Sequence, residues 1–211
     1  MPAAPVIELS GMCAVEQYRL FAAISLPAGI KEKIAATQLE LRAGLAGASV
    51  TWTKREQLHL TLKFFGNIDV PLVTGLRAKL AAACDGFGPF ILRAERLGVF
   101  PDARFPRVIW VGLTDDGGKL ANLQSSVESA SRDFTSQEPE KKFTGHVTLG
   151  RIKHINRHDS KKLAELLVSM SDREFGEWTA SELELMRSEL TSDGARHTSI
   201  ETFPLSRSQG L

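Results

Sequence analysis

Apolar residues follow two kinds of pattern along the chain. Continuous or alternating apolar runs predict roughly eight strands, and apolar residues three or four positions apart predict four helices. The predicted strands cover residues 18–26, 58–66, 90–97, 108–113, 143–152, 175–178, 181–190 and 196–203. The predicted helices cover residues 27–45, 71–84, 115–134 and 159–170. Hairpins mixed with strand–helix units indicate an α+β fold rather than a doubly wound parallel sheet.

Two of the predicted strands contain the same short motif. Residues 59–62 and 146–149 both have the form His, apolar, Thr, apolar, and they lie 87 positions apart. Successive side chains of a strand point to opposite faces, so His and Thr share one face while the apolar residues share the other. A single copy would be typical of a half-buried strand. The matched pair instead predicts two similar halves, each contributing one wall of a shared cleft.

The residue types of the two motifs suit phosphodiester cleavage. His59 and His146 titrate near neutral pH, so one can act as general base and the other as general acid. Thr61 and Thr148 can donate hydrogen bonds to the phosphate oxygens that gain charge in the transition state. Arg151 supplies a permanent cation whose planar fork matches phosphate.

The position of Arg151 creates a difficulty for this prediction. Arg151 is five residues after His146, so strict alternation puts it on the opposite face of the strand. It can reach the phosphate only if the strand ends or bulges near Gly150, where the absence of Cβ makes an irregularity easier.

A metal site is the alternative use of two imidazoles, because neutral imidazole binds Zn²⁺ well. Metal phosphodiesterase centres also prefer carboxylate ligands, and neither motif contains Asp or Glu. We therefore expect no metal and no other cofactor. Metal-free acid–base catalysis favours a reactive ester, such as a strained five-membered cyclic phosphate.

Composition narrows the class of protein. The formal net charge of +1 argues against a globally basic nucleic-acid coat, so anion binding must be local. The two cysteines do not form a disulfide framework, and no apolar run is long enough to span a bilayer. The first residues do not read as a signal peptide. We expect a cytoplasmic monomer with a flexible tail at residues 1–17, one domain at 18–205 and a frayed end at 206–211.

The motifs and their flanks resemble the 2H phosphoesterase superfamily. They are most similar to the bacterial and archaeal RNA 2′,3′-cyclic phosphodiesterases, also called the 2′-5′ RNA ligase family. The segments that carry this resemblance are residues 19–24, 58–66, 107–112, 146–151 and 186–190. The chain departs from the family pattern at Gly145, where Pro is common and the start of the strand is therefore loosened, and at His197, where Tyr is common.

The resemblance implies a fold, an activity and roles for residues. The fold would be a bilobed α+β domain, with two antiparallel sheets related by a pseudo-twofold axis, helices outside and a cleft between the lobes. His59 and His146 would be the acid–base pair, and Thr61, Thr148 and Arg151 would bind the phosphate. The substrate would be an RNA 3′ end or a nucleotide with a 2′,3′-cyclic phosphate, hydrolysed to a 2′-phosphate without metal. Reversible 2′-5′ ligation is also attached to the family.

Further substrate contacts are weaker predictions. Phe100 and Phe105 lie in a predicted loop and could stack on a base, while Lys63 and Arg104 could contact the RNA backbone. For His197 an exposed position on the last strand is the favoured interpretation. Two other functions stay open: a module that binds nucleotides or RNA ends without turnover, and another 2H activity on ADP-ribose cyclic phosphate or 2′-5′ oligonucleotides.

Overall fold

The computed structural model describes residues 15–138, 142–192 and 194–206. In this part of the chain nine strands and four helices confirm the α+β prediction. The strands are β1 (Gln17–Ser25), β2 (Ser49–Trp52), β3 (His59–Asp69), β4 (Phe90–Phe100), β5 (Val108–Thr114), β6 (His146–His154), β7 (Glu174–Ala180), β8 (Glu182–Thr191) and β9 (Gly194–Pro204). The helices are α1 (Ala28–Gly44), α2 (Val70–Cys84), α3 (Lys119–Ala130) and α4 (Arg157–Ser169).

The strands form one antiparallel sheet built from two halves. Its order is β7-β4-β5-β6-β3-β1-β8-β9, and β2 pairs with β6 beside β3. The halves meet where β3 pairs with β6, and the ladder between these strands consists of the single pair Leu60 and Val147. The two predicted sheets are thus hydrogen-bonded to each other at one point. Two strands that pair over one residue diverge on either side of it, which opens a cleft above the junction.

The helices cover one face of the sheet and leave the other face open at the junction. Helix α1 contacts α4, and α2 contacts α3. Leu60, Leu62, Val147 and Leu149 are all buried in the core on the helix side. The predicted alternation therefore holds within each motif: the apolar residues build the core, and the His and Thr side chains remain on the open face.

Several element boundaries differ from those predicted. Strand β2 was absent from the prediction, because four residues are too few to show a period. Strand β4 continues to Phe100, which shortens the predicted loop to residues 101–107. Helix α3 ends at Ala130 and a short 3₁₀ turn, Arg132–Phe134, follows, since the hydroxyl of Ser131 donates to the carbonyl of Val127.

The predicted tails lie mostly outside the part of the chain that the structure describes. Residues 1–14 and 207–211, which contain most of the predicted tails, lie outside the described residues. Strand β1 begins at Gln17, one residue before the predicted domain boundary. Among the helices of the described ranges, none combines the length and apolar character needed to cross a membrane.

Candidate active site

A β-bulge in each motif strand sets which side chains face the cleft. In β6, Trp110 of β5 pairs with Thr148 and Ile109 pairs with Gly150, so Leu149 has no partner on β5. The extra residue reverses the alternation beyond it. Arg151 therefore emerges on the same face as His146 and Thr148, and all three line one cleft. The bulge that Arg151 requires is present, one residue before Gly150.

The equivalent bulge occurs at Leu62 in β3. Ala23 of β1 pairs with Thr61 and Ala22 pairs with Lys63, which leaves Leu62 without a partner on β1. The two motif strands therefore share their irregularity as well as their residues. In both strands the fifth position after the histidine is turned onto the face of the imidazole.

Gly150 and a helix side chain hold the second bulge in place. A Cβ at Gly150 would lie 2.8 Å from Cγ1 of Val50 and 2.9 Å from Cε3 of Trp52, so only glycine lets β2 pack this closely. The buried side chain of Gln38 on α1 donates from Nε2 to the carbonyl of Leu149 at 2.7 Å. The bulged peptide is thus fixed from both sides.

The four motif side chains meet around the junction of the halves. Leu60 pairs with Val147, so the antiparallel direction of the strands directs His59 toward the side of Thr148 and His146 toward the side of Thr61. The two histidines then occupy diagonal positions across the junction, which in a regular ladder are about 7–8 Å apart. All four side chains line the same cleft of about 810 Å³.

Both imidazoles are held in the same tautomer. Nδ1 of His59 lies 2.7 Å from the carbonyl oxygen of Gln57, and Nδ1 of His146 lies 2.7 Å from that of Thr144. A carbonyl only accepts, so Nδ1 carries the proton and Nε2 of the neutral ring is a free acceptor. Each ring can therefore take up or release a proton at Nε2.

The start of β6 is tightly fixed, contrary to the loosening expected from Gly145. A Cβ at Gly145 would lie 2.9 Å from the carbonyl oxygen of Leu113 and 2.7 Å from Cδ2 of Leu120. The carbonyl of Gly145 accepts a hydrogen bond from the backbone of Leu113 at 2.9 Å. This close packing orients the neighbouring carbonyl of Thr144, which holds His146.

The surroundings of His59 are aromatic and partly closed. The ring of Phe21 stacks on the imidazole with centroids 4.9 Å apart, and the ring of His197 meets it edge-on at 5.4 Å. The pKa of His59 is lowered to about 4, chiefly by burial and in smaller part by the nearby His197 and Lys31, while the hydrogen bond to the carbonyl of Gln57 opposes the shift. His59 is consequently neutral at pH 7.

His197 was predicted to be exposed, and this was wrong. Its ring packs against Phe21, with centroids 5.0 Å apart, and lines the cleft. Burial, and secondarily Arg19, lowers its pKa. Gln57 donates a hydrogen bond to the carbonyl of Ala195, which ties this part of β9 to the residues before β3. Alternation alone could not reveal this, because the position of β9 depends on its pairing with β8.

The surroundings of His146 are aromatic but contain no second imidazole. The ring of Phe100 meets His146 edge-on at 5.0 Å, and the indole of Trp110 lies 6.5 Å away. Gly98 admits the indole, since a Cβ there would lie 2.1 Å from Cζ2 of Trp110. Phe100 was predicted to contact the substrate, but it is not among the residues that line the cleft. It supports the ring of His146 instead.

Phe64 is a cleft residue that the sequence prediction missed. It lies five positions after His59, as Arg151 does after His146, and 47% of its surface is exposed. Its ring lies 5.7 Å from that of Phe21 and lines the cleft. Superposing the two motifs over six residues rather than four would have identified it.

Lys63 was predicted to contact the RNA backbone; it borders the cleft, but little of its side chain is exposed there. The bulge at Leu62 turns Lys63 toward the helices, where its side chain is only 5% exposed. Its Nζ donates to Oε1 of Glu128 on α3 at 2.7 Å. An ammonium buried against a carboxylate serves the fold, because separating the pair would leave a buried charge.

Arg104 and Phe105 were also predicted to contact the substrate, and the structure does not bring them to the histidines. Both line a second groove of about 570 Å³, formed by the loop after β4 and the start of α4. The ring of Phe105 is 72% exposed. The longer β4 carries this loop away from the cleft.

Among the residues that the structure describes, no group of three or more His, Cys, Asp or Glu side chains could hold a metal ion.

A duplicated α+β fold with one His and one Thr from each half in a shared cleft defines a two-histidine phosphoesterase. Comparison with known proteins agrees. The model of the LigT like Phosphoesterase family matches residues 24–110 and again residues 111–197, so each match contains one motif. The chain therefore belongs to the LigT like Phosphoesterase family, and the resemblance seen in the sequence is confirmed.

Individual relatives span nearly the whole chain. An RNA 2′,3′-cyclic phosphodiesterase of Methanothermobacter thermautotrophicus is 33% identical over 189 residues, covering 89% of this chain and 98% of that protein. One of Aquifex aeolicus is 35% identical over 156 residues, covering 73% and 81%. The crystal structure of TT0787 of Thermus thermophilus has a TM-score of 0.73 at 26% identity, covering 91% and 100%. E. coli LigT complexed with 3′-AMP has a TM-score of 0.71 at 24% identity over 90% and 99%, which supports the fold.

Proposed function

We propose that this protein hydrolyses the 2′,3′-cyclic phosphate at an RNA 3′ end or on a nucleotide to a 2′-phosphate. The observation that carries the proposal is the matched pair of imidazoles, each with Nε2 free, in one cleft with Thr61, Thr148 and Arg151. The relatives named RNA 2′,3′-cyclic phosphodiesterase support the choice of substrate.

The reaction needs a proton to leave at one side of the phosphorus and another to arrive at the opposite side. His59 is neutral at pH 7, because its buried pKa is about 4, so it suits the general base that takes a proton from the attacking water. The new P–O bond forms as the bond from phosphorus to O3′ breaks. His146, protonated at Nε2, gives its proton to O3′, and the phosphate remains on O2′.

Thr61, Thr148 and Arg151 stabilise the negative charge of the phosphate. Negative charge builds on the two non-bridging oxygens as the water attacks. Thr61 and Thr148 stand on either side of the junction and donate hydrogen bonds to these oxygens. Arg151 neutralises the charge with its guanidinium, and no metal ion takes part in the proposed steps.

The direct test uses a nucleoside 2′,3′-cyclic phosphate in EDTA, with the product identified by ³¹P NMR. We expect a 2′-phosphate, and we expect His59→Ala and His146→Ala each to lower kcat by about 10²–10⁴-fold. His158→Ala is the matched control, since His158 is exposed and outside the cleft. Activity that appears only with added metal would contradict the mechanism.

The same assay separates the two alternative functions. A module that only binds would hold the nucleotide tightly from pH 5 to pH 9 without forming product. A different 2H activity would be revealed by competition, with ADP-ribose cyclic phosphate or a 2′-5′ oligonucleotide turned over in preference to the RNA-type substrate.

A further inference from the structure

The second groove is strongly basic although the chain as a whole is almost neutral. Its walls are the loop after β4, the last residues of β6 and the first turns of α4. The cations that line it are Arg104, Arg107, Lys153, Arg157 and Lys161, with His154 beside them. The residues that line this groove include no Asp or Glu. With a formal net charge of only +1 for the whole sequence, this is a local concentration of positive charge.

The five cations are also free of internal partners. None of them makes an ion pair with a carboxylate of the described residues. Arginines elsewhere are engaged: Arg93 pairs with Asp116 and Glu177, and Arg173 pairs with Glu40. Five unpaired cations around one groove repel one another, so an anionic ligand would relieve a cost present in the free protein.

The groove and the cleft are lined by nearby residues of the same strand, β6. Arg151 lines the cleft and Lys153 lines the groove, while Ile152 between them is buried on the helix side. Arg151 and Lys153 therefore lie on the same face of one strand, about 7 Å apart along it. The backbone of Ile152 donates to the carbonyl of Arg107, which joins the opposite wall of the groove to this strand.

The loop wall presents an aromatic ring to the solvent. Phe105 is 72% exposed, and the carboxylate of Asp102 fixes its loop by accepting hydrogen bonds from the backbone of Arg104 and Phe105 at 2.8 and 3.1 Å. A basic groove with an exposed ring is typical of surfaces that bind single-stranded nucleic acid, where bases stack on aromatic side chains.

We infer that the groove binds the RNA strand on the 5′ side of the terminal nucleotide, so that the enzyme prefers RNA ends to mononucleotides. This inference rests on the proposed function. When the cyclic phosphate occupies the cleft, the rest of the chain leaves it in the 5′ direction. Lys153 then meets the nearest phosphates beyond Arg151, the cations of α4 meet those further away, and Phe105 stacks on a base.

The test compares two substrates that differ only beyond the terminal nucleotide. One is a nucleoside 2′,3′-cyclic phosphate, and the other is a single-stranded RNA decamer ending in the same group. The variants are Lys153→Glu and Lys161→Glu, and the matched control is Lys79→Glu, an exposed lysine on α2 away from both grooves. We expect each groove variant to raise KM for the decamer about tenfold or more and to leave KM and kcat for the nucleoside unchanged.

Salt dependence supplies a second readout. The slope of log KM for the decamer against log salt should become shallower by about 0.7 for each phosphate contact that a variant removes. Equal decamer kinetics in both groove variants and in Lys79→Glu would overturn the inference.

A binding experiment distinguishes failure of the proposed function from failure of the inference about the groove. If neither substrate is cleaved by the unmodified protein, the groove is tested by fluorescence anisotropy with a labelled decamer ending in a 2′-phosphate. Binding weakened about tenfold in Lys153→Glu and Lys161→Glu supports the groove even then. Unchanged binding overturns it.

Discussion

The two halves of the cleft have the same local backbone geometry. They differ in the two residues after the bulge and in the side chains that surround each imidazole. Each half contributes an imidazole whose Nδ1 is bound to the carbonyl two residues earlier, a threonine, and a bulge at the following leucine. After the bulge the first half has Lys63 and Phe64, and the second has Gly150 and Arg151. The shared backbone explains how two like groups come to flank one atom.

The differences explain how equivalent positions can take different roles. After its bulge the second half exposes the guanidinium of Arg151 to the cleft, whereas the first half exposes the ring of Phe64 and its cation, Lys63, is buried against Glu128. His59 has another imidazole and a stacked phenyl ring beside it, while His146 contacts Phe100 and Trp110. Such an asymmetry suits a reaction in which one imidazole acts as base and the other as acid.

Substituting the residue that each half turns into the cleft after its bulge should give the largest difference between the halves. Arg151→Met should lower kcat/KM for the cyclic phosphate by about 10²–10³-fold, because the transition state loses its charged donor. Phe64→Leu, the equivalent position in the first half, should change kcat/KM by only a few-fold. Steady-state kinetics on both variants provides the measurement, and equal losses would mean that the halves are not specialised.

The lowered pKa of His59 gives the second test of the difference between the two imidazoles. In the folded protein its pKa is about 4, below the ordinary value of 6.5, so the unfolded chain binds more protons between these pH values. The free energy of unfolding should therefore fall as pH is lowered from 6.5 to 4, by up to about 3 kcal/mol. Activity should survive to about pH 4, where His59 gains its proton.

The control for this prediction is His59→Gln, which can still donate to the carbonyl of Gln57. Denaturant unfolding of both proteins across the pH range isolates the contribution of the imidazole. A pH dependence of stability that is the same in His59→Gln and the unmodified protein would contradict the assignment.

Removing the side chain that anchors the second bulge should have the smallest effect of the three substitutions. Gln38 on α1 donates to the carbonyls of Leu149 and Thr53, whereas within the described ranges no side chain donates to the carbonyl of Leu62 in the first bulge. Gln38→Met should lower the free energy of unfolding by about 1–3 kcal/mol, because a buried acceptor loses a donor. It should also lower activity, since the bulge orients Arg151.

Thr37→Val on the same helix is a suitable control for Gln38→Met, because its buried hydroxyl bonds to its own helix and to Arg173 rather than to the bulge. Stability is read from thermal unfolding and activity from hydrolysis of the cyclic phosphate. If Gln38→Met loses stability but keeps full activity, the bulge does not depend on this side chain.

Much of the fold was predictable because the signals are local. Apolar spacing located all four helices and eight of the nine strands, and the repeated motif located the two imidazoles and two threonines that line the cleft. Phe64 could also have been predicted from the sequence, since it occupies the position in the first motif that Arg151 occupies in the second. The need for a bulge near Gly150 followed from the conflict between alternation and the chemistry expected of Arg151.

The surroundings of the remaining predicted residues depend on contacts between distant segments. Lys63 was predicted as an RNA contact from its charge, but the bulge at Leu62 turns its ammonium toward Glu128, 65 positions away. His197 enters the cleft because β9 pairs with β8 and β8 pairs with β1. Arg104 and Phe105 lie at the second groove because β4 extends further than its apolar run.

The sequence by itself determined that two His-apolar-Thr-apolar strands exist and that each turns its imidazole and hydroxyl to one face, since the period of a strand is a local property. Only the tertiary structure decided that these strands, 87 positions apart, pair at Leu60 and Val147 and share one cleft. It also decided which side chains follow them onto that face, because a bulge forms where the partner strand shifts its register. That register is a property of two segments together.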